Sequence, residues 1–178
     1  MDEHKKQILE LLDSYGAELF SLLSRITLRR EIAQELMQDL FIKLNRMSNH
    51  NGIANLRSYA RKMAMNLAFD FRRRQKKVVP VENIAEPASE EVSVLNRMIQ
   101  DEQLQQILDA VGRLDETSRQ AFVMRHLQQN SYDSIAQQLN KTAHQVRAIC
   151  SRAMKQIRNM LGQNVAFADE KGGAKCQK

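Results

Sequence analysis

Between Asn140 and Met160 lie five Lys or Arg residues, Lys141, Arg147, Arg152, Lys155 and Arg158, and no acid. Helical spacing puts Val146, Ile149, Ala153, Ile157 and Leu161 on one face, leaving His144, Arg147, Ala148, Ser151, Arg152 and Lys155 toward the outside. A solvated face is the ordinary account of a charge run on a helix. Here the acids that would form intrahelical pairs are missing, and a phosphate partner explains the run better. Arg147 has the fork to grip a guanine edge, and His144 or Gln145 could meet a base or a phosphate. Thr142 and Gln145 also have the spacing of a capping box, in which Gln145 would turn back to its own helix N-terminus; both roles stay open at this stage.

The stretch LRSYARKMAMNLAFDFRRRQKK interleaves cations with Tyr59, Phe69 and Phe71. Single-stranded nucleic acid wants that chemistry, because bases stack on rings while Arg57, Arg61, Arg72, Arg73 and Arg74 can follow the backbone. Phe71 falls on the apolar stripe and reads as core, so Tyr59, beside that stripe, is the better stacking candidate. Asp70 and Arg74 stand at i, i+4 and could form an ordinary helix pair. Upstream, Glu31, Glu35 and Asp39 follow one another at i, i+4 steps with Gln34 and Gln38 beside them, a spacing that costs a helix a few tenths of a kcal/mol per pair. Lys43 offsets the last of them, so the stripe is either simply solvated or a docking face for a basic partner.

Signals for catalysis or metal binding are weak. His4, His50, His126 and His144 have no ligand spacing with one another or with Cys150 and Cys176, and the chain has no Gly-rich phosphate loop or nucleophile motif. No enzyme activity and no cofactor are expected.

The elements that must hold these groups are helices. Ile8, Leu11, Leu12, Tyr15, Leu19, Leu22, Leu23 and Ile26 recur at three- and four-residue steps, as one long helix or two abutting ones. A second helix carries Ile32, Leu36, Leu40, Leu44 and Met47 and leaves through SNHNGIAN, a turn-rich loop. A third sets Leu56, Ala60, Met63, Leu67 and Phe71 on one face. After a lapse of periodicity around Pro80, Pro87 and Ser89, a further helix carries Leu104, Ile107, Leu108, Val111 and Leu114. Asp115 can cap the next, with Phe122, Val123 and Leu127. Ser131 can cap a short helix with Ile135, Ala136 and Leu139 inward, Asn140 can take the left-handed turn, and Thr142 can cap the last helix. That pattern is a helix-turn-helix, whose second helix enters the DNA major groove.

The expected fold is therefore all-α: two small helical domains, 1–77 and 96–161, the second a helix-turn-helix, joined by an acidic linker at 78–95, with a disordered tail from 162 to 178. Two Pro and six Gly among 178 residues fit long helices, and 5 % aromatic content without Trp fits aliphatic seams. From Arg57 to Lys77 eight bases meet only Asp70; from Glu82 to Glu102 six acids meet only Arg97. This division says more about an anionic partner than the net charge of +6. Two cysteines cannot build a disulfide framework. No apolar run approaches the roughly 20 residues that cross a bilayer, and the N-terminus lacks the apolar core and cleavage site of a signal peptide. A cytoplasmic protein without membrane insertion is expected.

AQELMQDLFIKL, LRSYARKMAMNLAFDFRRR and RLDETSRQAFVMRHLQQNSYDSIAQQLNKTAHQVRAICSRAMKQIRNML, in this order and spacing, resemble the extracytoplasmic function (group IV) sigma factors of the sigma-70 family of bacterial RNA polymerase. The likeness covers about residues 10 to 161. It implies a protein with only the second and fourth sigma regions, which binds core RNA polymerase, recognises two promoter elements, helps to melt the DNA and directs transcription initiation. Its partners would be core polymerase, promoter DNA both double-stranded and melted, and an anti-sigma factor. Glu35, Gln38, Asp39 and Phe41 match the segment that docks on the polymerase clamp helices, and Glu31 extends that stripe. Asn66, Asp70 and Arg73 match the segment that handles the melted minus-ten strand. The loop from Asn49 to Asn55 matches the one that receives a flipped base, where Asn51 and Asn55 could supply polar edges. Arg147, Ser151 and Arg152 match positions facing the minus-thirty-five element, with Lys141, Thr142, His144, Gln145 and Lys155 around them. Tyr59 stands where the family often has Trp, which keeps a ring. Gln145, Ala148 and Ile149 depart from the common recognition helix, which bears on the sequence read and leaves phosphate binding intact.

Two other readings stand beside this one. A sigma mimic that only occupies an anti-sigma factor would not need a basic recognition helix. An ordinary helix-turn-helix repressor or activator would leave the acidic stripe idle.

Overall fold

The computed structural model describes residues 3–47, 55–75 and 91–162, and the side chains among them except those of residues 3, 4 and 91–100. The described residues form α1 (Glu3–Thr27), α2 (Arg30–Arg46), α3 (Leu56–Gln75), α4 (Glu91–Gly112), α5 (Glu116–Phe122), α6 (Tyr132–Leu139) and α7 (Ala143–Leu161), and no strand occurs among them. The all-helical fold expected from periodicity is the one observed. The expected tail after Gly162, the expected Asn49–Asn55 loop except Asn55 itself, and most of the expected linker lie outside the described residues, although α4 already begins at Glu91.

The apolar run of the first helix is one unbroken element of 25 residues. Its buried side, Ile8, Leu11, Leu19, Leu22, Leu23 and Ile26, meets Ala33, Leu36, Leu40 and Leu44 of α2 and Ala60, Ala64, Met65, Leu67 and Ala68 of α3 in one cluster. The α1–α2 turn is tight: Leu28 adopts φ 59°, and Thr27 closes it by donating its hydroxyl to the Leu23 carbonyl at 2.9 Å. A left-handed leucine is an uncommon conformation, held here by the Leu28 N–H donating to the Ser24 carbonyl at 2.9 Å and by the Thr27 hydroxyl, which accepts from the Arg29 N–H.

The caps follow the side chains that anticipated them. Asp115 accepts from the Ser118 N–H at 3.0 Å to start α5, and Ser131 accepts from the Ser134 N–H at 3.2 Å to start α6. Asn140 ends α6 at φ 52°, in the left-handed region, and turns the chain into α7. Asp115 holds its proton less tightly than usual, first because Ser118 donates to its carboxylate. Between α5 and α6 the chain widens into a π-helical turn, Val123–Leu127, with the Gln128 N–H reaching back to Val123.

Two core expectations differ. Leu104, expected inward, is 40 % exposed, because the side chains of residues 101–106 are all exposed and the packed part of α4 begins only at Ile107 and Leu108. Phe69, not Phe71, is the fully buried ring of α3. Helix α3 is covered on a second side, where the end of α4 comes so close that a Cβ on Gly112 would lie 3.2 Å from the Phe69 ring.

Candidate nucleic-acid and polymerase interfaces

Helix α7 buries Val146, Ile149, Cys150, Ala153 and Ile157 and leaves Lys141, Thr142, His144, Gln145, Arg147, Ala148, Ser151, Arg152 and Lys155 exposed. Among the described residues Lys141, Arg147, Arg152 and Lys155 form no ion pair. The open choice for Gln145 resolves to the cap: its N–H donates to Thr142 Oγ1 at 3.2 Å, and its side-chain oxygen accepts from the Thr142 N–H at 2.9 Å. The Arg147 guanidinium lies 5.3 Å from the centroid of Tyr132 at the start of α6, and that of Arg125 lies 4.6 Å from the same ring. A ring between two cations limits the arc through which Arg147 can swing, which lowers the entropy lost when it grips a base. Cys150 is buried beneath this face, and burial pushes its thiol up against the weaker opposing pull of Arg125, so it is an inert core group.

On α2, Glu31, Gln34, Glu35, Gln38, Asp39 and Phe41 are all exposed opposite the buried Ala33, Leu36, Leu40 and Leu44. At 100° per residue Ile42 falls between Glu35 and Gln38 on the stripe, and it is 43 % exposed. The sequence reading passed over Ile42. The missed signal was an isoleucine out of phase with the buried stripe, which leaves an apolar anchor in the middle of an anionic face.

The α3 residues divide. Asn55 accepts from the Ser58 N–H at 3.0 Å and so caps the helix, while Asn51 lies outside the described residues. Tyr59 is half-buried against the α1–α3 cluster. Arg57 and Arg61 grip the two oxygens of Glu18, each at 2.7 Å, and Arg57 also lies 3.8 Å over the Tyr15 ring. Burial alone would push the Glu18 carboxyl up; the two guanidiniums outweigh it and hold it below the usual range. Arg73 and Arg74 are exposed, Arg73 pairing with Asp70 at 2.9 Å, so the expected Asp70–Arg74 pair is replaced by an i, i+3 pair. Arg61 and Arg72, read from the sequence as cations for a strand, are only 3 % and 8 % exposed. Arg72 donates to Asp109 Oδ1 at 2.7 Å and to the Gln105 carbonyl at 2.9 Å, and Asn66 Oδ1 accepts from Arg119 at 3.0 Å. Both inward turns come from residues distant in sequence, Glu18 for one and α4 for the other.

Described elements that are all helical, with a capped helix-turn-helix and an exposed basic face on its second helix, define a DNA-binding protein of the transcription-factor class. The family models agree: Sigma-70 region 2 matches residues 11–78 and Sigma-70, region 4 matches residues 104–157, together more than half of the chain. The chain belongs to the sigma-70 family, matching its regions 2 and 4, and is a sigma factor that binds core RNA polymerase and directs promoter recognition and transcription initiation. It is 25 % identical over 163 residues to RNA polymerase sigma factor YlaC of Bacillus subtilis (strain 168), covering 88 % of this chain and 92 % of YlaC. Its fold is similar to that of CnrH in complex with the cytosolic domain of CnrY, with a TM-score of 0.51, 15 % identity and 92 % of each chain covered. A sigma factor RpoE, solved with the anti-sigma factor NepR from Bartonella quintana, matches with a TM-score of 0.44 at 20 % identity over 90 % of this chain and 98 % of that one. Among the described residues no helix is long and apolar enough to cross a membrane.

Proposed function

We propose that this sigma factor divides promoter reading between two helical units, 1–77 and 96–161, with the linker at 78–95 setting their separation and the tail after 162 taking no part. The face of α7 meets the minus-thirty-five element: Arg147, Ser151 and Arg152 toward base edges, and Lys141, His144 and Lys155 toward phosphates. Thr142 and Gln145 present the helix N-terminus, whose free N–H groups suit a phosphate. The melted minus-ten strand runs along α3, where Tyr59 offers a ring, Asn51, Asn55 and Asn66 offer polar edges, and Arg57, Arg73 and Arg74 neutralise the backbone. Arg61 fixes α3 on α1 through Glu18 and shapes that surface from behind, and Arg72 joins the strand site only when α4 is withdrawn. Glu31, Glu35, Gln38, Asp39 and Phe41, with Ile42, dock on a basic surface of core polymerase.

The protein catalyses no reaction of its own, since the phosphodiester chemistry belongs to core polymerase. It works in the cytoplasm, where polymerase and chromosome are, and an anti-sigma factor covering these same faces is its expected regulator. The observation that carries the reading is the exposed face of α7, on which Lys141, Arg147, Arg152 and Lys155 form no ion pair among the described residues. A mimic that merely occupied an anti-sigma factor would not need that face. Run-off transcription with core polymerase and a promoter library tests it: transcripts should require this protein and start downstream of a common pair of elements. A library with no dependent transcript would overturn it.

A further inference from the structure

Where α3, α4 and α5 meet, a partly enclosed cavity of about 100 Å³ is lined by four guanidiniums, those of Arg72, Arg73, Arg113 and Arg119, and by two carboxylates, Asp70 and Asp109. Each carboxylate already has its cation: Asp109 takes Arg72 at 2.7 Å and Asp70 takes Arg73 at 2.9 Å. Arg119 donates to neutral acceptors, the Asn66 side chain at 3.0 Å and the Gly112 carbonyl at 3.4 Å. Glu116, whose field reaches Arg119, is itself paired with Lys62 at 2.9 Å. The exposed Arg113 guanidinium makes no ion pair or hydrogen bond among the described residues. The lining therefore carries two positive charges in excess of its acids.

Part of that excess is held away from water. Arg72 is 8 % exposed, and the Nε–H groups of Arg72 and Arg119 are buried without an acceptor. Like charges gathered at reduced dielectric repel, and a guanidinium cannot relieve them by shedding its proton, so an anion among them is favoured. There is room for one. The Phe69 ring forms one wall, and Gly112 stands against it without a side chain, where a Cβ would lie 3.2 Å from the ring. A cavity of about 10 to 15 Å³ already holds a water, so this one takes a compact group of several heavy atoms.

We propose that the cavity is a receptor site for the dianionic phosphoryl group of a small phosphomonoester, with Arg113 and Arg119 gripping its oxygens and Arg72 and Arg73 completing the field. Guanidinium forks match phosphoryl oxygens in pairs. A dianion cancels an excess of two charges, where the single charge of a nucleic-acid phosphodiester leaves one over. Arg113 and Arg119 have no part in the promoter reading above, so the site is an addition to it.

The test is calorimetric titration of the full chain, without polymerase or DNA, at physiological salt. Methyl phosphate is the probe, largely dianionic at about pH 7.5 because the second ionisation of a phosphomonoester falls near pH 6. One saturable site per chain is expected. Dimethyl phosphate, the singly charged diester, should bind on the order of tenfold more weakly. Arg113→Gln should weaken methyl phosphate by about tenfold or more, with the melting temperature of the unliganded chain unchanged because Arg113 holds nothing in the fold. Lys155→Gln, the same loss of charge on α7, should leave the affinity as it was. Absence of saturable heat, full affinity in Arg113→Gln, or an equal loss in Lys155→Gln would each overturn the site. Equal binding of monoester and diester would overturn the dianion and leave a contact for backbone phosphate in its place.

Discussion

Glu18 shows how one carboxylate can organise a surface it does not belong to. Its two oxygens hold Arg57 and Arg61, and Arg61 is buried, so removing the acid strands a guanidinium that cannot deprotonate. The folded carboxyl titrates below the ordinary value of about 4.3, so its stabilisation is present above that pH and is lost as pH falls through the lower folded value. Glu18→Gln should therefore lower the urea midpoint at neutral pH and lower it much less near pH 3, measured by denaturation across pH; a pH-independent difference would mean the pair carries no charge-dependent stability. Arg147 belongs to the same scale. If it reads a guanine, Arg147→Ala should weaken holoenzyme binding by roughly 1 to 3 kcal/mol on the preferred element and much less where that base is changed. Lys155→Ala should weaken all sequences alike and lower the salt slope by about one. A uniform loss for Arg147→Ala would make it a phosphate anchor.

Among the elements, α7 depends on its start. The capping box satisfies two N–H groups that a solvent-facing helix end would otherwise leave to water, and Asn140 aims the helix by its left-handed turn. Thr142→Ala should cost about 1 kcal/mol, read as a fall in melting temperature. DNA affinity should fall with it for every sequence, because the helix and not one base contact is loosened. Helix α2 presents the opposite case, an element whose surface charge works against it. Glu35→Lys with Asp39→Lys should leave helicity unchanged or slightly higher while weakening the complex with core polymerase. Titration against core showing full affinity would remove this stripe from the interface.

Across the whole molecule, the second unit has a small core of its own, in which Ala121, Met124, Ile135, Ala136, Val146 and Ile149 pack together, while Ala110, Val111, Leu114, Phe122, Val123, Ala153 and Ile157 of the same unit join the cluster built by α1–α3. A fragment of residues 96–161 should fold and melt cooperatively, at a lower temperature than the full chain because the contacts of α4 and α5 with α3 are gone. A fragment with helical circular dichroism but no cooperative transition would show that α3 is part of its core.

Local chemistry was legible in the sequence. Asp115, Ser131, Asn140 and Thr142 act on neighbours within five residues, and the apolar stripes of α1, α2 and α7 repeat with the helix period, so types and spacings alone determined the helices, their caps and the outward face of α7. Even the choice between DNA and cap for Gln145 lay in a three-residue spacing, although only its hydrogen bonds decided it. What the sequence could not hold were the partners of groups far apart along the chain. Arg61 and Arg72 look like any other surface cations until Glu18, 43 residues away, and Asp109, 37 residues away, are folded against them. Phe69 looks like a flank until Gly112 closes on it, and Leu104 looks like core until α4 outruns its cover. Tertiary packing decides such cases because a helix has two long sides, and periodicity tells only which side is apolar, not whether a second element will cover the other.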